Sequence, residues 1–584
     1  MISSIQPSSA AKTDAPTPAL LYSFSTTMGA LGVLAAACGN FMTQKRTSRF
    51  PEKLRLARSE SSWPCAAALA TAALATAPLS IPAHAQAFER AIAADMVQLD
   101  GARDMFWQDC VGADHPGILL RRDNLAQLRM THEQLGFKYI RFHGIFADDM
   151  GAYRELSGKP VYDFGKIDAV YDAILHLGMK PFVELSFMPH DLATSDRTIF
   201  YWKANGSPPK DYGKWADFIA AFIQHLEARY GKAEVVQWRF EVWNEPNLDG
   251  FWAAGDQQAY FRLYDTTAKA IKAADPSLRV GGPATAGVAW VPQFIGHARA
   301  AGVPIDFITT HTYGVEGGFL DQNGEGDNRL STKPGSISDD VRKVRDQVSS
   351  SPMPGLPLYF TEWSTSYNPR DPIHDAYLSA AFVLEKLKKT EGVAQSMSYW
   401  TYTDLFEEAG PPPASFHGGF GLINREGIRK AAFFAYRYLN ELGAQVLRNA
   451  DRASWLTREG DNFSGLIWNY TVPDQDESNR PYFRKLHPPT SLPSIDLTVS
   501  SLQPGTYRLS LHRTGFKAND AYSQYIEWGL PQNLTPEQVT TLQHLAEDVP
   551  ETEINIEVGR NGSLSRKIAL RANDVILVKL NRVQ

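Results

Sequence analysis

Two glutamates stand in settings that suit proton chemistry. Glu245 closes the run WRFEVWNEPN (238–247), and Glu362 sits in LPLYFTEWS (356–364). Both runs are apolar and strand-like, and an acid has no packing role in such a run. Two carboxylates facing each other across a cleft can cleave a glycosidic bond. One holds a proton for the leaving oxygen, and the other attacks the anomeric carbon or activates water. A separation of about 5–5.5 Å goes with a covalent, retaining route, and about 6.5–9.5 Å with inversion. A single strand-end glutamate is more often a solvated anchor; the pair carries the argument. His143 ends FKYIRFHG, His311 and Tyr313 end IDFITTHTY, and Trp400 lies in QSMSYWTYTD. Alone, each has a bland role as core histidine, strand residue or packing. Together they call for a scaffold that brings strand ends to one rim.

That scaffold is legible as eight short apolar runs between Trp107 and Gly443: FWQDCVGA, FKYIRFHG, MKPFVELSF, WRFEVWNE, LRVGGPA, IDFITTHTY, LPLYFTEWS and QSMSYWTYTD. Amphipathic stretches separate most of them. In QQAYFRLYDTTAKAIKAA, Tyr260, Leu263, Tyr264, Thr267 and Ile271 fall at helical spacing. DNLAQLRMTHEQLG ends at Gly136, a helix-stop signal. Eight such units predict an α/β (β/α)₈ barrel over 107–443, whose chemistry belongs at the carboxyl ends of the strands. Glu245 and Glu362, on the fourth and seventh runs, then face each other. Glu241 is expected to point inward as a structural acid paired with a base such as Arg141. Strand alternation would send Asn244 and Glu245 to opposite faces, so both reach one site only if the chain leaves strand geometry there. Pro246 favours that exit.

From residue 444 to 584 the texture changes to alternating runs with Pro-Gly and Asn-Gly turns, which predict an antiparallel β-sandwich. A strand within 86–106 is expected to join it. The stretches 315–336 and 407–419 read as long loops over the working rim.

Net charge is −6, and no basic block follows residue 60, which argues against a nucleic-acid partner. The 13 tryptophans suit the faces of sugar rings as well as a core. A basic segment, an apolar small-residue run and Ala83-His84-Ala85 predict a cleaved signal, with the mature chain starting near Gln86. Residues 1–85 are thus an extension and signal peptide. Met42 is the expected start, Leu20 to Phe41 the competing membrane anchor, and the mature protein periplasmic or secreted without stable membrane contact. Cleavage leaves Cys110 as the remaining cysteine, and no metal-type cysteine spacing exists. The sequence leaves oligomeric state open.

WRFEVWNEPN resembles the signature of glycoside hydrolase family 39, the family of β-xylosidases and α-L-iduronidases within the Asn-Glu clan of retaining (β/α)₈ hydrolases. FKYIRFHGIF, DFITTHTYG, YFTEWSTSYNPRDPIHDAY, SYWTYTDLFEEAG and FHGGFGLINREGIRKAAFFAY are similar to the same family and follow in order. The resemblance implies Glu245 as general acid/base and Glu362 as nucleophile. It implies Asn244 on the sugar 2-hydroxyl, Tyr313 on the nucleophile, and His143, His311, Trp400, Glu407 and Glu408 around the reacting sugar. It implies an oligosaccharide partner and neither metal nor cofactor. The expected activity is an exo-acting β-xylosidase on pentose-containing oligosaccharides. Arabinose- or arabinobiose-releasing activity is the close alternative, and an exopolysaccharide endo-hydrolase the more distant one. A metal-dependent hydrolase would want clustered ligands, whereas the second run offers His143 alone. A non-catalytic sugar-binding protein would dispense with one carboxylate. The stretch Val315 to Ser336 matches no block of the family.

Overall fold

The computed structural model describes residues 90–583. The predicted signal peptide, its cleavage site and the Leu20–Phe41 segment lie outside the described residues. No helix of the described residues is long and apolar enough to cross a membrane.

Eight parallel strands close into a barrel: β1 Cys110–Ala113, β2 Tyr139–Phe142, β3 Lys180–Leu185, β4 Arg239–Val242, β5 Arg279–Thr285, β6 Phe307–Tyr313, β7 Leu358–Ser364 and β8 Ser396–Tyr399. Each falls in one of the eight apolar runs, β5 ending one residue beyond its run. Strand β7 is buried at every residue, as expected where helices cover one face and the barrel interior the other. The helix Gln257–Ala274 buries Tyr260, Leu263, Tyr264, Thr267 and Ile271, and Asp256 caps it by accepting from Gln258 and Ala259 N–H. The helix Arg122–Leu135 stops at Gly136, whose φ of 79° is left-handed.

At the amino-terminal end of the barrel the Arg239 guanidinium lies over Tyr139 and Tyr359, 4.3 and 4.5 Å from their ring centroids, and pairs with Asp109 at 2.6 Å. This plug leaves the opposite end as the open mouth. There the chain after β8 is tethered by Lys430. Its buried ammonium meets Asp375 at 2.6 Å and Asp404 at 2.7 Å, and donates to the Gly419 carbonyl at 2.9 Å. A Cβ on Gly419 or Gly421 would come within 2.4 Å of Asp404 atoms, so glycine is required where this strap crosses.

The accessory module packs a seven-stranded sheet against a three-stranded one. Their inner faces share a core that includes Ile92, Phe463, Leu497, Leu509, Ile568 and Val578. Arg90–Asp95 contributes to the smaller sheet and runs parallel to Ser491–Ser500, an exception to the antiparallel expectation. Leu99–Ala102 contributes to the larger sheet. The module also carries helices at Ala521–Glu527 and Pro536–His544 that an all-strand reading misses. The second has a full sequence signal: Thr535 and Gln538 form a capping box around Pro536.

The stretch 315–336, expected to be a loop, folds largely as a hairpin of Val315–Leu320 and Gly326–Leu330 that continues directly from β6.

Candidate active site

Strand β4 ends at Val242, and the backbone then turns through Trp243 (φ 72°) and Glu245 (φ 43°). Non-glycine residues in this region cost on the order of 1–3 kcal/mol each and collect at functional sites. The two turns break the alternation, so Asn244 and Glu245 both enter the mouth. The Glu245 N–H is fixed on the Ala284 carbonyl at 2.8 Å.

A single buried cation organises what they meet. Arg141, from β2, donates from Nε to Glu241 at 2.6 Å, from Nη1 to Glu362 at 2.9 Å and from Nη2 to Asn244 Oδ1 at 2.9 Å. Its Nη2 also pairs with Glu184 at 2.8 Å. The expected Glu241–Arg141 pair is therefore one spoke of a larger hub. A planar guanidinium can serve several acceptors in fixed directions, which a lysine cannot.

Glu362, on β7, receives Arg141 on one oxygen and the Tyr313 hydroxyl, at 2.7 Å, on the other. Each oxygen thus has a donor, which fixes the carboxyl group in orientation. Glu245 faces it across the mouth. Burial pushes its carboxyl up to about 7, against the lowering charges of His143 and Arg141. An oxygen of Glu245, a nitrogen of His311 and an oxygen of Glu362 all lie within 4.8 Å of one another.

His311 joins the two acids. Burial holds its ring down at about 4, so it is neutral near pH 7. Thr361 donates its hydroxyl proton to Glu241 at 2.9 Å, which leaves its oxygen to accept from His311 Nε2–H at 3.2 Å. The other ring nitrogen, Nδ1, is then bare, and it sits 2.9 Å from Glu245 Oε1. That contact is a hydrogen bond only if Glu245 carries the proton, so burial and the tautomer act in the same direction. This trio could surround a cation by distance alone. However, the Arg141 charge already sits 2.9 Å from Glu362, where it would oppose one.

The far end of the mouth is built from β8, β2 and β3. His143 Nδ1 meets Glu184 at 2.7 Å, and its Nε2 meets Glu408 at 3.3 Å. Burial alone would lower the imidazole, but the two acids raise it well above its ordinary range. Burial raises Glu408 in turn, against the hydrogen bond from His143. The Trp400 ring lies 4.6 Å from that of His143 and is backed by Phe406 and Phe420. A Cβ on Gly112 would stand 2.3 Å from the indole, so β1 must carry glycine there.

The structure thus gathers Glu245, Glu362, His143, Asn244, His311, Tyr313, Trp400 and Glu408 at one mouth. It does not bring Glu407 in: that side chain points toward Arg121, 3.6 Å away, and only its N–H reaches inward, to Asp114 at 2.6 Å. Glu184 and Asp114 belong to the same cluster but were not singled out in the sequence. Glu184 lies in the third apolar run and Asp114 just beyond the first, so the strand-end test applied to the other runs would have found them.

Two glutamates facing each other at a barrel mouth have the chemistry to cleave a glycosidic bond. The family model for glycosyl hydrolases family 39 matches residues 95–564, and the chain belongs to that family. It is 41% identical over 373 residues to a β-xylosidase of Geobacillus stearothermophilus, covering 63% of this chain and 74% of that protein. It is 44% identical over 347 residues to a β-xylosidase of Caldicellulosiruptor saccharolyticus, covering 59% and 70% respectively. Among solved structures, a monomeric β-xylosidase from Caulobacter crescentus CB15 superposes with a TM-score of 0.83 at 53% identity, covering 85% of this chain and all of that one.

Proposed function

We propose that this hydrolase is an exo-acting β-xylosidase that releases a pentose from oligosaccharides by double displacement, with retention. Support comes first from the carboxylates: oxygens of Glu245 and Glu362 approach within 4.8 Å. So close an approach suits the short separation of a retaining pair better than the about 6.5–9.5 Å at which an inverting pair admits a water beside the sugar. The β-xylosidase relatives above support the choice of sugar.

In the first step Glu362, fixed by Arg141 and Tyr313, attacks the anomeric carbon while the glycosidic bond breaks. Glu245 gives its proton to the leaving oxygen. The bare His311 nitrogen then faces a carboxylate. In the second step Glu245 takes a proton from water, the water oxygen bonds the anomeric carbon, and the Glu362 ester bond breaks. Asn244, its carbonyl held by Arg141, keeps an amide N–H₂ for the sugar 2-hydroxyl. Trp400, His143 and Glu408 wall off the glycone.

A panel of nitrophenyl pentosides and hexosides tests the sugar, and proton NMR of the first-formed product tests its configuration. A preference for β-xyloside with the β-anomer formed first is expected. Preference for an arabinoside would replace the sugar, and the α-anomer first would overturn the covalent route.

A further inference from the structure

The accessory module reaches the barrel mouth through a buried amide. Asn479 opens the short helix Asn479–Tyr482, on the excursion between Trp468 of the larger sheet and Ser491 of the smaller one. Its side chain is fully buried. Asn479 Oδ1 accepts the Leu330 N–H at 3.1 Å and the Gln475 side-chain amide at 2.9 Å, and Nδ2 donates to Asp371 Oδ2 at 2.8 Å. These contacts leave the amide one orientation, since turning it over would set oxygen against the Asp371 carboxylate and an N–H₂ against two donors. Gln475 Oε1 is a second acceptor for the Leu330 N–H, also at 3.1 Å.

Its barrel partners belong to the chain that leaves β6 and the chain that leaves β7. Leu330 closes the hairpin opposite Val315, which follows Tyr313 by two residues. Asp371 follows Glu362 by nine residues. It is fully buried and caps the turn Pro372–His374 by accepting the Ile373 N–H at 3.2 Å. Losing an amide that spans two buried segments leaves each partner without its bond, which is why such a group holds them firmly.

The same two chains meet inside the mouth, where the Tyr313 hydroxyl donates to Glu362 at 2.7 Å. Strand β6 pairs with β7 as far as Tyr313 and Ser364, with its register already shifted at His311. Past that point Asn479 spans the two exits. A closed path results: Tyr313, Val315, Leu330, Asn479, Asp371, Glu362 and back to Tyr313.

We infer that Asn479 is a positioning residue for the nucleophile. Through it the accessory module holds the exits of β6 and β7 at the spacing at which the Tyr313 hydroxyl reaches Glu362. The inference rests on the two-glutamate reading above and deepens it, because the module becomes part of the catalytic apparatus. The test is a double-mutant cycle with Tyr313→Phe, read as kcat and KM on nitrophenyl β-xyloside and as Tm. Asn479→Ala is expected to lower kcat about tenfold with KM within about twofold. In the Tyr313→Phe background, which already lacks the hydroxyl, the same substitution is expected to change kcat by less than about twofold, while Tm falls equally in both backgrounds. Gln475→Ala, at a half-buried residue, withdraws one acceptor from the Leu330 N–H and one donor from Asn479. It is expected to lower kcat about threefold, again only while the hydroxyl is present, and this cycle decides alone if Asn479→Ala does not fold. Equal losses of kcat in both backgrounds would make Asn479 a general support and overturn the inference; an unchanged kcat in the native background would do the same. A native enzyme that prefers another glycoside would correct the sugar in the reading above, and the cycles run on that glycoside would decide the role of Asn479 by the same criteria. A native enzyme inert on every nitrophenyl glycoside would overturn that reading and the inference with it.

Discussion

Replacing His311 with alanine should move the alkaline limb of the pH profile to lower pH. Two features of the native site favour a proton on Glu245: burial, and the bare imidazole nitrogen 2.9 Å away. The substitution removes the nitrogen and admits water, so both effects weaken. The acid works only while protonated, so native kcat/KM should fall as pH rises through about 7. At pH 6 a carboxyl titrating near 7 is about 90% protonated, whereas one at the ordinary value near 4.3 is about 2% protonated. Complete release of Glu245 would therefore cost about fortyfold at pH 6 and much less at pH 4. The assay is kcat/KM on xylobiose from pH 4 to 9, since its poor leaving group needs the proton. A variant profile lowered uniformly, with its limb still near 7, would refute the argument, because His311 would then shape the site without setting the proton. An alkyl xyloside should repeat the shift, and a dinitrophenyl xyloside, limited to its first step, should lack it.

The roles of the two glutamates separate in azide. Glu245→Ala on an activated nitrophenyl substrate should yield a glycosyl azide of the substrate's own configuration, Glu362→Gly one of the opposite configuration, and swapped products in proton NMR would reverse the assignment. Trp400 is 2% exposed and backed by two phenylalanines, so Trp400→Ala should cost about 3–5 kcal/mol of stability as well as activity. Denaturant melts with kcat/KM on the folded fraction check this, and intact specific activity there would leave Trp400 as packing alone. Lys430→Met strands Asp375 and Asp404 in the core, a loss of about 3–5 kcal/mol near neutral pH. Unpaired buried acids prefer the protonated form, so urea melts should show the deficit shrinking as pH falls; a deficit independent of pH would rule out the charge explanation.

The barrel was legible because its strands are buried on both faces, which writes each as an unbroken apolar run, and because the intervening helices keep a clean stripe such as Tyr260, Leu263, Tyr264, Thr267 and Ile271. The mouth was legible because polar groups at the ends of such runs have no packing reason to be there. What stayed hidden depends on pairing across distant strands. Arg141 serves Glu184, Glu241, Asn244 and Glu362 at once, and no spacing within one segment encodes that. Glu407 and Glu408 are adjacent and alike, yet the turn sends one to Arg121 and the other to His143. The hairpin at 315–330 was obscured by glycines and acids that read as loop, whereas its acids Asp321 and Asp327 find their partner about 150 residues away at Arg480.

The accessory module is sewn from both ends of the described chain. Ser500 donates to the Ala94 carbonyl across 406 positions, and Arg90 grips Asp451 across 361. A ribosome adding about 5–20 residues per second exposes the first of these strands tens of seconds before its partner exists. The barrel, whose last strand is complete at residue 399, has all its pieces well before the sandwich does. Assembly therefore finishes with a clasp: the earliest of the described strands is among the last to find its place. A nascent or truncated chain lacking residues 491–571 would carry that strand as an unpaired edge, open to another chain in the same condition. Fragments cut at the barrel's carboxyl end should accordingly aggregate unless residues 90–102 are removed with the module they belong to.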